Sequence, residues 1–183
     1  MPESQTPSLA GSLLIAHPGL MDPNFRRTVL LLSEHDEKGS FGLVLNRPMG
    51  RMLGDLMPNK PIGGLAQLPV LLGGPVQSNE LIFASFHWSI DAARVECRHH
   101  LLIPDAQEAL EQDHTEVRAF IGYAGWGGGQ IEAELASKSW LVSPPVRDVF
   151  APGKHATLWK EVTSGFGPWF KLIAEAPEDL TGN

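Results

Sequence analysis

Continuous apolar runs, rather than strict alternation, dominate the first third of the chain, and they predict strands. The run over Thr28–Ser33 is apolar almost throughout, which indicates a strand covered on both faces. A run over Gly11–Ala16 predicts an earlier strand ending at the turn His17–Gly19, and Phe41–Asn46 predicts a third strand. Because His35–Gly39 has the length and the glycine of a hairpin loop, we expect the second and third strands to pair.

The rest of the chain mixes strands with helices. Further strands are predicted over Val70–Leu72, Leu81–Phe86 and Val117–Tyr123, and residues 60–68 are predicted to form a loop. Helices are predicted over four segments: Met52–Met57, Asp105–Gln112, Gln130–Leu141 and Ala156–Ala174, the last interrupted near Gly165–Pro168. This interleaving predicts an α+β (mixed α/β) fold with a few helices beside one sheet.

Two of these helices carry local stabilising signals. Asp105 is expected to cap its helix, because Glu108 follows three positions later as in a capping box. In the next helix, Glu134 and Lys138 have the spacing of an ion pair on one helix face.

Length and composition favour one domain. The chain has 183 residues, of which 43% are hydrophobic and 19% charged, enough apolar material for a single core. Residues 1–10 are rich in Pro, Ser and Thr and are predicted to be a flexible tail, with one domain over residues 11–183. No basic leader and no apolar run near the ~20 residues of a membrane helix is present, so we expect no membrane insertion and a cytoplasmic location.

Charge and cysteine content narrow the function classes. The net charge of −7 repels phosphate backbones, and no basic recognition helix is visible, so direct DNA binding is disfavoured. The single cysteine, Cys97, is expected to be a small buried side chain.

A glycine-rich run is the most distinctive local feature. Five glycines lie between Gly122 and Gly129, so the backbone is expected to pass very close to another strand, a tryptophan, a ligand or a partner. One interpretation is an anion site at the start of the following helix. The other is a tight structural corner with Trp126 packed on glycine backbone, or with Trp126 exposed as an interface anchor.

Four blocks in the same order resemble the AlgH/YqgE family. They are Leu14–Ala16 with Pro18–Phe25, then Gly42–Pro48, then Gly73–Val76, then Gly122–Gly127 with Gly129–Glu132 and Glu134–Leu135. The resemblance implies a bacterial, cytosolic protein with a split, barrel-like sheet, and it brings no established catalytic activity, cofactor or binding site. His17 stands where members of this family usually carry methionine, and the C-terminal part matches only loosely.

The sequence contains no motif typical of a metal site or of a hydrolase active site. None of the seven histidines has zinc-site spacing, and His99 and His100 are adjacent, so on a strand they would point to opposite faces. Ser33–Asp36 spells out triad residues, but sequence neighbours cannot converge as a triad does. We therefore predict no metal and no cofactor, and name no catalytic residue.

Polar residues at the ends of the apolar strands, together with residues of the glycine-rich corner, form the candidate interaction or ligand surface. They are His17, Asp22, Glu34, Asn46, Arg47, Gly125, Trp126, Gly127, Gln130 and Glu132. A Glu34–Arg47 ion pair is one hypothesis within this set, because charged groups beside a core need partners.

The functional prediction is a non-enzymatic regulatory or protein-binding module. A regulatory role in transcription enters only through the name of the family. The alternative is a protein that binds a small molecule, or an enzyme, with an anion or nucleotide site at the Gly122–Gln130 corner. An unidentified protein partner is favoured over a small molecule.

Overall fold

The computed structural model describes residues 7–91 and 93–177, and within them the chain forms nine strands. The strands are β1 (Leu13–Ala16), β2 (Val29–Asp36), β3 (Gly39–Val44), β4 (Pro48–Met52), β5 (Pro69–Leu72), β6 (Val76–Trp88), β7 (Val95–His99), β8 (Thr115–Gly127) and β9 (Trp140–Ser143). The helices are α1 (Leu53–Leu56), α2 (Ile103–Leu110), α3 (Gln130–Ala136), α4 (Leu158–Ser164) and α5 (Pro168–Glu175). Short 3₁₀ helices span Gly63–Gln67 and Arg147–Phe150.

The strands form one curled, mixed sheet. Its order is β4-β5-β8-β3-β2-β1-β9, with β6 paired to β8 and β7 paired to β6. The β5–β8 pair is parallel and the others are antiparallel. A hydrogen bond from a side chain to the backbone links β2 to β7: Ser33 Oγ donates to the Cys97 carbonyl at 3.4 Å. This split half-barrel confirms the expected α+β fold.

The first three strands confirm the hydrophobic pattern. All of Leu13–Ala16 and Val29–Leu32 is fully buried, because β1 and β2 lie in the middle of the sheet with both faces covered. The β2–β3 hairpin is tighter than predicted. Asp36 Oδ1 accepts the backbone N–H groups of Lys38 and Gly39, which reduces the loop to Glu37 and Lys38.

Three strands escaped the sequence prediction. β4 is exposed at every residue, so no apolar pattern marks it. β7 does alternate between more and less buried residues, but it is only five residues long. The predicted helix over Gln130–Leu141 is too long: α3 ends at Ala136, Lys138 takes a φ of +60°, and the following residues form β9 against β1.

Helix starts and loops differ in detail. α2 begins at Ile103 after Leu102, with Pro104 in the first turn, so Asp105 lies inside the helix and the predicted capping box is wrong. The predicted loop over residues 60–68 contains the 3₁₀ helix at Gly63–Gln67. The final helical stretch is confirmed as α4 and α5, separated around Gly165–Gly167 as expected.

The start of the chain contacts the hairpin. Residues 1–6 of the predicted tail lie outside the described residues. Ser8 Oγ donates to the His35 carbonyl at 3.0 Å, and the Leu9 N–H donates to His35 Nδ1 at 2.9 Å. No helix among the described residues is long and apolar enough to cross a membrane.

Cys97 is predicted to resist alkylation in the folded protein. Burial raises the pKa of its thiol to about 12, so the reactive thiolate is rare near neutral pH. We expect iodoacetamide to modify Cys97 readily in denaturant and at least ~100-fold more slowly in buffer, measured by intact mass. Cys97 is half-buried rather than fully buried as expected, and equal rates in both conditions would contradict the protection of its thiol.

Candidate functional site

The first three glycines of the glycine-rich run lie in a strand, and Gly128 and Gly129 form the turn before α3. Gly122 to Gly127 belong to β8, and the close approach expected there is to the protein's own backbone. A Cβ on Gly122 would lie 2.4 Å from the Gly74 carbonyl oxygen, and one on Gly128 would lie 2.4 Å from that of Glu37. The glycines therefore let segments distant in sequence pack backbone against backbone.

The N-terminus of α3 is poorly suited to bind an anion. The Gly127 N–H already donates to Gln130 Oε1 at 3.0 Å, and the Glu132 carboxylate stands in the first turn. α3 is only seven residues long. These features oppose the phosphate interpretation on electrostatic grounds, since the helix end meets a negative side chain of its own chain.

Trp126 is an interior side chain with 6% exposure. Its Nε1–H donates to Glu134 Oε2 at 2.9 Å, and Trp140 Nε1–H donates to the same oxygen at 2.8 Å. Gln130 Nε2 donates to Glu134 Oε1 at 3.0 Å. The expected pairing of Glu134 with Lys138 is therefore wrong, because the carboxylate faces the two indoles.

Arg47 holds a turn together instead of pairing with Glu34. Its guanidinium donates to three backbone carbonyls, those of Pro23, Asn24 and Arg26. Burial lowers the pKa of the Arg47 guanidinium, opposed by the charge of Asp22 and reinforced by that of Arg26. The hypothesis of a Glu34–Arg47 ion pair is wrong.

The neighbouring polar residues also serve the backbone. Asn46 Oδ1 accepts from the Val29 N–H and its Nδ2 donates to the Arg27 carbonyl, both at 2.9 Å. Asp22 Oδ1 accepts from the Asn24 N–H at 2.7 Å. These side chains fix the segment between β1 and β2.

His35 and Glu132 join α3 to the hairpin. Their Nε2 and Oε1 atoms lie 2.7 Å apart, and the His35 side chain is 3% exposed. Because Nδ1 accepts from Leu9, Nε2 carries the proton and donates to Glu132. Hydrogen bonds from its own backbone and from His35 lower the pKa of the Glu132 carboxyl.

Glu34 belongs to a second cluster, beside the hairpin. Its Oε1 lies 2.9 Å from His99 Nε2, and His99 Nδ1 lies 2.6 Å from His100 Nδ1. The expectation that the two histidines face opposite ways is wrong, because His100 leaves the strand with a φ of +56°. Phe41 stacks between His99 and Tyr123, with ring centroids 4.0 Å and 4.7 Å away.

A cleft of about 540 Å³ lies beside this cluster. Its lining includes Glu34, Asp36, Lys38, Phe41, Tyr123 and Gly125. Two carboxylates against one lysine make it a poor host for a nucleotide phosphate. Among residues 7–91 and 93–177, no three His, Cys, Asp or Glu side chains are grouped to hold a metal ion.

His17 leads to a surface that the sequence interpretation missed. Its Nδ1 accepts from the Gly19 N–H at 3.0 Å, and its ring lies 6.1 Å from Trp169 and 5.8 Å from Phe170. Trp169 is 54% exposed and Leu172 is 68% exposed. Together with Phe166, which is 36% exposed, these two residues form what we call the α5 face.

An apolar groove continues from the α5 face. This β9 groove has a volume of about 440 Å³ and lies between β9, the 3₁₀ helix at Arg147–Phe150 and α4. Its apolar lining includes Val142, Pro144, Val146, Leu158, Val162 and Phe166, and its charged lining is Asp148, Lys154 and Glu161. The aromatic residues between 166 and 170 were the available signal, but helical periodicity alone did not reveal which of them are exposed.

α4 fixes the position of this surface. Trp159 is buried, and its Nε1–H donates to the Ala16 carbonyl at 2.8 Å, so α4 is anchored to β1 in the sheet. Phe166 lies 5.9 Å from Phe170 between ring centroids, and Phe170 lies 4.9 Å from Trp169. Phe166 lines the groove and belongs to the α5 face, so the two form one contiguous apolar surface.

Comparison with known proteins places the chain in a family. A family model described as AlgH-like, DUF179, matches residues 13–171. A UPF0301 protein of Streptomyces coelicolor is 36% identical over 98% of both chains. Another, from Chlorobium luteolum, is 33% identical over 92% of both chains.

Solved structures agree on the fold. The solution structure of the AlgH protein from Pseudomonas aeruginosa aligns with a TM-score of 0.64 and 27% identity, over 98% of this chain and 100% of that one. A crystal structure of a Corynebacterium diphtheriae protein aligns with a TM-score of 0.71 and 22% identity over 93% of each chain, and supports the fold alone. The chain therefore belongs to the AlgH-like family.

Proposed function

We propose that this protein is a non-enzymatic, cytoplasmic protein-binding module that recognises its partner through the α5 face and the β9 groove. The observation that carries this proposal is the contiguous apolar surface formed by Phe166, Trp169 and Leu172 beside a groove of about 440 Å³. A regulatory role would act through this contact rather than through DNA, since the net charge of −7 opposes nucleic-acid binding.

Exposure and residue type both support an interface. Soluble proteins seldom leave large apolar side chains together at the surface unless they meet a partner, and tryptophan is enriched among residues that dominate binding energy. The polar cluster of Glu34, His99 and His100 and the buried contacts of Trp126 are satisfied within the chain. The apolar side chains of the α5 face are instead exposed to solvent.

Charge indicates the chemistry of the partner. Asp148 and Glu161 lie at the groove with Lys154, whose Nζ donates to Glu161 Oε2 at 2.6 Å. The three charged side chains of the groove therefore carry a net charge of −1. We therefore expect the partner to present apolar side chains flanked by a basic residue.

Leu172 and Leu102 provide a matched test. Both are exposed leucines, at 68% and 71%, but Leu102 precedes α2 and lies outside the α5 face. A photo-crosslinking amino acid at position 169 or 172 in living cells is expected to join one specific protein, whereas position 102 is not. With that protein purified, Trp169→Gln should weaken binding by about 30-fold and Leu172→Gln by about tenfold, measured by calorimetry.

Leu102→Gln should leave the affinity unchanged. Equal loss from both leucine variants would point to a general effect on the fold. The absence of a specific adduct at positions 169 and 172 would contradict the proposal.

A further inference from the structure

We propose that the outer edge of β9 binds an extended segment of the partner protein by adding it as a strand to the sheet. This inference rests on the proposed function and names how the β9 groove is used. The occupant is a stretch of partner chain with one or two apolar side chains and a nearby lysine or arginine. Its backbone is recognised by β9, and its side chains by the groove.

The register of β9 leaves backbone groups pointing away from β1. The His17 N–H donates to the Ser139 carbonyl at 3.0 Å, so these two residues occupy a hydrogen-bonded position of the ladder, although the Ser139 N–H itself donates to the Glu134 carbonyl. Val142 lies opposite Leu14, three positions further along the same ladder. Because hydrogen-bonded and non-hydrogen-bonded pairs alternate in an antiparallel ladder, the N–H and C=O of Val142 are directed outward.

β9 has one strand neighbour among the described residues. It ends the sheet order after β1, and no described strand pairs with its other side. The side chain of Val142 is 37% exposed and lines the β9 groove. An outward donor and acceptor beside an apolar groove match the backbone and side chain of an extended peptide.

The C-terminal end of β9 limits how many residues of the partner segment can pair with it. Pro144 and Pro145 follow β9 and carry no N–H group, so the strand cannot extend its ladder in that direction. A second copy of this chain would have to bring its own edge into this short site. The excess carboxylate at the rim, from Asp148 and Glu161 against Lys154, favours a basic segment instead of another copy of an acidic chain.

The test uses peptides selected from a displayed random library against the full-length protein. Selected peptides are expected to combine apolar residues with Lys or Arg. N-methylation of alternate amides in a peptide should weaken binding at least about fivefold at one phase of the alternation and little at the other. Asp148→Asn should weaken binding of the same peptides and reduce its dependence on salt.

Variants of Val142 examine the protein side of the same bonds. Val142→Pro removes the outward N–H and should weaken peptide binding at least about fivefold, whereas Val142→Ile should preserve it. If Val142→Pro does not fold, as judged by circular dichroism, the peptide N-methylation series decides alone.

Each outcome separates the two proposals. Peptides that lose binding with Trp169→Gln but tolerate N-methylation and Val142→Pro would overturn strand addition and keep the proposed function. Binding that tolerates Trp169→Gln would overturn the proposed function. Concentration-dependent dimers in sedimentation, competed by the peptides, would assign the edge to a second copy and overturn the partner-protein assignment.

Discussion

Gly122→Ala is expected to lower the free energy of unfolding by about 4 kcal/mol. Two effects add at this position. Gly122 has a φ of +72°, a left-handed conformation that costs a residue with a Cβ about 1–2 kcal/mol. The new Cβ would also lie 2.4 Å from the Gly74 carbonyl oxygen, and relieving such an overlap costs about 1–3 kcal/mol.

Two neighbouring glycines separate these effects. Gly129 has a φ of +76° but nothing within 4 Å of its Cβ position, so Gly129→Ala measures the conformational cost alone. Gly128 has no left-handed φ, but its Cβ would lie 2.4 Å from the Glu37 carbonyl oxygen, so Gly128→Ala measures the overlap. Urea unfolding of the three variants should rank Gly122→Ala as the most destabilised, with a loss near the sum of the other two. A loss for Gly122→Ala no larger than that for Gly129→Ala would show that the strand contact with Gly74 is not close.

Glu134→Ala is expected to be comparably severe, at about 3–5 kcal/mol. The carboxylate accepts the Nε1–H groups of Trp126 and Trp140 on one oxygen, at 2.9 Å and 2.8 Å. Both tryptophans are nearly buried, at 6% and 4% exposure, so the substitution leaves two donors without a partner. An unsatisfied buried donor costs about 1–3 kcal/mol, more when its lost partner was charged.

Glu134→Gln is the matched control. The amide keeps one carbonyl oxygen for the two indoles but presents an N–H₂ group toward Gln130, whose Nε2 now donates to Glu134 Oε1. We expect less than half the loss seen with alanine, measured by thermal and urea unfolding followed by tryptophan fluorescence. Equal losses from both variants would mean that the indole hydrogen bonds contribute little.

The central strands could be predicted because their burial is uniform. Leu13–Ala16 and Val29–Leu32 are covered on both faces, so their apolar runs are continuous, and a two-residue turn joins β2 to β3. β4 lies at the sheet edge with every residue exposed, and β9 follows a helix without a break that the pattern could show. Edge strands are held by pairing with one neighbour, and pairing between distant segments leaves little local trace.

The residues of the candidate site lie in separate parts of the fold. The set His17, Asp22, Glu34, Asn46, Arg47, Gly125, Trp126, Gly127, Gln130 and Glu132 does not converge on one pocket. Glu34, Gly125 and Trp126 line the cleft of about 540 Å³, whereas Asn46 and Arg47 bind backbone groups near Arg26. Their role in interaction stays a prediction, and the surface that supports the proposed function lies on α5.

By itself, the sequence determined that the central segments Leu13–Ala16 and Val29–Leu32 enter the core, and which family the chain resembles. The tertiary structure alone decided the partners: Glu34 with His99, Glu134 with two indoles, and Gly122 with the backbone of Gly74. It also decided that Trp126 is buried while Trp169 is 54% exposed. The physical reason is that periodicity reports how much of each segment is covered, whereas the identity of what covers it depends on strand pairing between residues far apart in the chain.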